Sequence, residues 1–221
     1  PEGVSQFVQD VIAREGRIDL LVNNAGYGSY GAVEDVPMAE ARHQIDVNLF
    51  APAQLIQEIL PTMRAQRSGK IINVTSIGGK LWSPMGAWYH ASKFALEGLS
   101  DCLRNEVRPF GIDVVLVEPG GVKTEWGGIA AENAMKTSGE GPYGLIARAF
   151  YKASTGTQVE KISANPEEIA DLIGRIAATH KPRARYVAPL SGRIMLFVQW
   201  LVSDSMFDWL MARATGLPKR L

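Results

Sequence analysis

"RIDLLVNNAG", residues 17–26, decides how the rest of the chain is read. Apolar residues from Ile18 to Val22 close on two asparagines, an alanine and a glycine. That is the pattern of a strand buried on both faces which leaves its sheet through a tight turn. Upstream, "VSQFVQDVIAREG" (4–16) places Val4, Phe7, Val8, Val11 and Ile12 on one helical face and stops at Gly16. Downstream, a helical region runs from about Met38 to Gln66, and "KIINVTS" (70–76) repeats the buried-strand pattern. A further helix is expected from about Met85 to Val107, a third strand at "DVVLVEP" (113–119) and a short fourth at "RYVAPL" (185–190). "NPEEIADLIGRIAATH" (165–180) is an amphipathic helix with Asn165 as N-cap and Pro166 in its first position.

Continuous apolar strands alternating with helices predict an α/β fold built on a Rossmann-like, doubly wound parallel sheet. No repeat or low-complexity linker divides the chain, so 1–221 reads as one domain. Residues 120–165, rich in glycine and small side chains, form a variable region expected to be only partly helical.

Ligands gather at the carboxyl ends of the strands in such sheets. Each of the first three strands ends in a polar or turn-forming cluster there: Asn23–Gly26, Thr75–Ser76 and Pro119–Gly120. "WYHASK" (88–93) opens the helix after Ser76 and sets Tyr89 and Lys93 four residues apart, on one helix face. A free phenol titrates near ~10 and is a poor base at neutral pH. A neighbouring ammonium favours the phenolate, so the pairing is expected to lower that value. Asn48, in "IDVNLFAP", lies in the preceding long helix, where asparagine is a weak helix former.

Bulk properties narrow the class without giving chemistry. Lys plus Arg equals Asp plus Glu at 23 each, so no basic excess points to nucleic acid. The single cysteine, Cys102, cannot make an internal disulfide and is expected in the core; no signal peptide is visible, and a cytoplasmic protein is the expectation. The longest apolar run, "IMLFVQWLV" (194–202), is far below the roughly 20 residues of a membrane span. His43 and His180 have no companion residues that suggest a metal site.

Taken together, these motifs resemble the short-chain dehydrogenase/reductase family. Its N-N-A-G matches Asn23, Asn24, Ala25 and Gly26, and its helical asparagine matches Asn48. Its strand-end serine matches Ser76, its Y-x-x-x-K matches Tyr89 and Lys93, and its P-G motif with following threonine matches Pro119, Gly120 and Thr124. The resemblance implies hydride transfer between NAD or NADP and an alcohol or ketone, with Asn48, Ser76, Tyr89 and Lys93 as the catalytic tetrad. It also implies cofactor contacts from Asn23 to Gly26, from Tyr89 and Lys93, and from Pro119, Gly120, Val122 and Thr124. Asn48 would hold a water that continues a proton relay. The family's glycine-rich T-G-x-x-x-G-x-G loop does not occur in the sequence, so the sheet is expected to lack its first βαβαβ portion.

Trp82 and Met85, with Ser76, in the loop before Tyr89, and Trp126 beyond Thr124, suit a pocket for a bulky hydrophobic alcohol or ketone. "YHASKFALEGLSDCLRNEV" is most similar to the steroid- and retinol-type branch of the family. Two other readings remain at this point: a nucleotide-sugar epimerase relative, and a non-catalytic nucleotide-binding or regulatory protein on the same fold. The apolar segment 191–214 is expected to form a helix that closes the pocket or packs on a partner subunit, and a homo-oligomer is expected.

Overall fold

Four parallel strands lie side by side in chain order in the computed structural model, which describes residues 2–217. They are β1 (Leu20–Asn23), β2 (Gly69–Val74), β3 (Ile112–Pro119) and β4 (Arg185–Ala188). The register sets Val22 beside Ile72, Ile72 beside Val115 and Val117 beside Tyr186. Helices make every crossover: α2 (Met38–Ile45) and α3 (Ala51–Gln66) between β1 and β2, and α4 (Ala87–Val107) between β2 and β3. Four helices link β3 to β4, namely α5 (Trp126–Ser138), α6 (Gly144–Ser154), α7 (Thr157–Ile162) and α8 (Pro166–Ala178). The chain opens with α1 (Glu2–Glu15) and closes with α9 (Leu190–Leu201) and α10 (Asp204–Thr215).

Alternation along the strands assigns each apolar residue to one face. Ile71, Ile112 and Val114 meet Val8, Ile56, Ile59, Met63, Leu103 and Val107 of α1, α3 and α4. Ile72, Val74, Val115 and Val117 turn the other way, onto Ile169 and Ile176 of α8. Full burial of each such side chain contributes on the order of 1.5–3 kcal/mol, so the two layers fix the height of the strand ends. The Asn165 N–H donates to the Glu168 carboxylate at 2.8 Å, which closes the first turn of α8. On β1, Leu20 and Val22 are 40% and 37% exposed, and among the described residues no strand pairs with its outer side.

Several expectations differ from the structure. Phe7 is 62% exposed, because α1 meets the core through the narrower stripe of Val8 and Ile12. Cys102 is exposed: α4 buries Leu96, Leu103 and Val107, and Cys102 lies a residue off that stripe. The 120–165 region is largely helical, since Ala130, Ala131, Ala134 and Ala147 let α5 and α6 pack closely without large side chains. The 191–214 segment is two helices rather than one, with Ser203 capping the second through the Met206 N–H.

Candidate active site

α4 begins just after the loop that leaves β2, so its first two turns stand over the carboxyl end of the sheet. Tyr89 and Lys93 occupy those turns and are both buried. Lys93 Nζ lies 6.0 Å from the centre of the Tyr89 ring and donates to the Val74 carbonyl at 3.1 Å. Ser76 follows two residues later in extended backbone. Its Oγ accepts from the Gly78 N–H at 2.9 Å and donates to the Pro119 carbonyl at 3.3 Å, and Ser76 lines the same cleft as Tyr89.

Asn48 reaches the same place by a defect in its helix. Pro52 has no N–H to return to the Asn48 carbonyl four residues earlier. Over Asp46–Phe50 the helix widens to a π turn, with the Ala51 N–H bonding the Asp46 carbonyl. The Asn48 amide accepts from the Tyr27 N–H at 3.1 Å and donates to the Tyr27 carbonyl at 2.9 Å and the Ser92 hydroxyl at 3.0 Å. Its side chain is thereby fully engaged with protein, which leaves the main-chain carbonyl for any relay.

A cleft of about 780 Å³ opens at these strand ends. Asn24, Gly26, Ser76, Tyr89, Lys93, Pro119, Gly120, Val122, Thr124 and Trp126 all line it. Of the other residues singled out in the sequence, Asn23 is buried and bonds Asn73 at 2.8 Å, inside the sheet. Ala25 is exposed outside the cleft lining. Met85 packs in the cluster around Tyr30 and Tyr89. Trp82 turns to α10, where its indole N–H donates to Asp208 at 2.8 Å and its ring meets Phe207 edge-on. Sequence reasoning passed over Tyr30, which lines the cleft and stacks on Phe150 at 5.1 Å, 5.6 Å from Tyr89. Ser92 and His90 read from the sequence as structural helix residues with no assigned role; Ser92 bridges Asn48 to the Tyr89 carbonyl, and His90 lines the cleft.

Burial pushes the Tyr89 phenol up to about 12, with the Ser76 hydroxyl opposing it, and pushes Lys93 down to about 8, with Glu97 opposing it. The sequence led to the opposite expectation for Tyr89. The reason is desolvation: a dry site disfavours the charged form of each group. The phenol therefore stays protonated at neutral pH.

Behind Lys93 lies a group of charges. The Thr75 hydroxyl donates to Glu97 at 2.6 Å, and Arg185 of β4 pairs with Glu97 at 3.1 Å, Glu118 at 3.0 Å and Asp101 at 2.5 Å. Lys80 stands 3.4 Å from Glu97 and 3.9 Å from Glu118. Burial and the neighbouring Glu97 raise Glu118 to about 7, against the two cations.

The site fits the nicotinamide end of a dinucleotide. A Cβ at Gly26 would stand 3.1 Å from Asn48 Oδ1 and 3.5 Å from Lys93 Nζ, so only glycine keeps the floor between them open. The ammonium has three donors, and Val74 takes one.

The family model for short chain dehydrogenases matches residues 1–134. The chain is 36% identical over 202 residues to the probable short-chain type dehydrogenase/reductase VdlC of Helicobacter pylori, covering 90% of this chain and 72% of that protein. It is 35% identical over 206 residues to the NADPH-dependent 3-dehydrocapnine reductase of Ornithobacterium rhinotracheale, covering 91% and 71%. Among solved structures, a short-chain dehydrogenase from Streptomyces avermitilis superposes with a TM-score of 0.74 at 30% identity, over 98% of this chain and 77% of that one. The chain belongs to the short-chain dehydrogenase/reductase family, whose members are NAD(P)-dependent oxidoreductases.

Proposed function

We propose that this oxidoreductase interconverts a hydrophobic ketone and its secondary alcohol, with Tyr89 as the group that gives and takes the hydroxyl proton. The observation that carries the reading is the buried Tyr89 phenol at the cleft, with Ser76 in the same lining and Lys93 one turn away, its Nζ 6.0 Å from the ring centre. A nicotinamide held in this cleft would supply or accept the hydride. Ser76 holds the substrate oxygen beside Tyr89, and Tyr89 donates its proton as that oxygen gains charge. Lys93 would direct its remaining N–H groups to the nicotinamide ribose and would offset the phenolate left behind. A relay to solvent runs through the main-chain carbonyl of Asn48. Asn24, Gly26, Pro119, Gly120, Val122 and Thr124 line the cofactor side. A neutral, protonated Tyr89 suits the reductive direction, and one relative is named a reductase.

An apolar substrate is supported by Tyr30, Ile77, Leu81 and Trp126 in the lining. Self-association is supported by Leu190, Ile194, Phe197 and Leu201, an outward stripe on α9 in which each is at least 55% exposed. Among the described residues no helix is long and apolar enough to cross a membrane. The test of the catalytic reading is Tyr89→Phe. Turnover should fall by about 10²–10⁴-fold while NAD(P)H affinity, read by fluorescence titration, changes little. Turnover near the unmodified level would overturn it.

A further inference from the structure

His90 stands beside the proton-donating tyrosine, and its two ring nitrogens meet groups whose roles are fixed. Nδ1 lies 2.9 Å from the Gly78 carbonyl, which can only accept. Nε2 lies 3.1 Å from the Ser83 main-chain N–H, which can only donate, and 3.0 Å from the Ser83 hydroxyl. Both constraints select one species, the neutral imidazole with its proton on Nδ1. The ring thus ties α4 to two points of the segment leaving β2: Gly78 in the turn after Ser76, and Ser83 further along. Gly78 is also the residue whose N–H donates to Ser76 Oγ. A Cβ at Gly78 would come within 3.1 Å of His90 Nδ1, so the close approach needs glycine.

We propose that neutral His90 is a positioning residue that sets the Ser76 hydroxyl by clasping Gly78 and Ser83 to the catalytic helix, and that acid releases the Ser83 side of this clasp. The inference rests on the oxidoreductase reading for its consequence but not for its geometry. Protonation places a second N–H on Nε2, facing the Ser83 N–H, so that main-chain bond is lost and only the Ser83 hydroxyl at 3.0 Å can still accept, while Nδ1–H keeps the Gly78 carbonyl. The groups facing the ring are the Gly78 and Leu81 carbonyls, the Ser83 N–H and hydroxyl, and the Tyr89 ring at 5.6 Å. Burial moves the imidazole below its ordinary value, the Gly78 and Leu81 carbonyls oppose this, and no side-chain charge contributes. The Ser83 side of the clasp is therefore closed at neutral pH and is released only in acid, below the ordinary imidazole range.

The test is NMR on the ¹⁵N-labelled chain, with no turnover measurement. The ring of His90 should show the Nδ1–H tautomer at pH 7.5, and the Gly78 and Ser83 amides should shift with the same acid midpoint as the ring. In His90→Phe the Ser83 amide, which loses its acceptor, should exchange at least about tenfold faster, the factor for a lost hydrogen bond of about 1.4 kcal/mol, and the Gly78 amide should also exchange faster as its bond to Ser76 Oγ loosens. Ser76 χ1, read from its ³J couplings, should change from one rotamer to an average. His90→Asn, which keeps a donor towards Gly78, should retain protection there, lose it at Ser83 and abolish the titration. Should His90→Phe not fold, the wild-type titration and His90→Asn still decide. An Nε2–H tautomer, or a Ser76 rotamer indifferent to both His90 titration and replacement, would overturn the proposal. Because no readout is catalytic, failure of the oxidoreductase reading would show separately, in the Tyr89→Phe kinetics.

Discussion

The Lys93 ammonium donates to the Val74 carbonyl at 3.1 Å, so the charge one turn beyond Tyr89 is anchored to the last residue of β2. The strand end fixes where that charge stands relative to the cleft, and α4 fixes where the phenol stands relative to it. A shift of either element would separate the two.

Replacing Lys93 with Met keeps the stem and removes the charge. Turnover should fall by about 10²-fold or more, and NAD(P)H should bind about tenfold more weakly for want of charge-assisted bonds to its ribose. The pH dependence has two opposite slopes. Because burial lowers Lys93 from 10.5 to about 8, the unfolded chain binds more protons than the folded one between those values. The contribution of this group to stability therefore rises with pH through that window, while activity that needs the ammonium falls above pH 8. Thermal melts and pH–rate profiles of both proteins separate the slopes. A profile flat to pH 10 in the unmodified enzyme would contradict the assignment.

Glu118 gives the reverse sign. Its folded value is raised from 4.5 to about 7, so between those values the folded chain holds more protons, and its contribution to stability falls as pH rises. Glu118→Gln imitates the protonated form. It should melt higher than the unmodified chain at pH 8, by roughly 3 °C if the gain is about 1 kcal/mol, and match it at pH 5. Calorimetry at the two pH values checks this, and equal stability at both would contradict it.

The α9 stripe makes a prediction about association. Phe197 and Trp200 are 58% and 76% exposed, with ring centres 6.0 Å apart. If this face meets a second copy, Phe197→Glu with Trp200→Glu should reduce the sedimentation coefficient to that of a monomer and leave the circular dichroism unchanged. A monomer before mutation would remove the stripe from consideration as a self-interface.

The sequence by itself determined the parallel α/β fold and pointed to part of the lining at the strand ends, Ser76, Tyr89, Lys93 and Thr124 among it. Buried strands carry a continuous apolar signal, helices a 3.6-residue one, and the matches at Asn48, Ser76, Tyr89 and Lys93 stand in family order. Tertiary structure decided the rest. The Trp82 ring turns to Phe207 and Asp208, more than a hundred residues away, and no local pattern encodes that. Tyr30 comes against Tyr89 and Phe150 only when three distant segments pack together. Ser92 and His90 look like ordinary helix residues until Asn48, Gly78 and Ser83 are set opposite them. The protonation of the site was hidden for the same reason. Spacing shows that an ammonium is near a phenol, but only the folded chain shows how much water each has lost, and here desolvation sets the direction of both shifts.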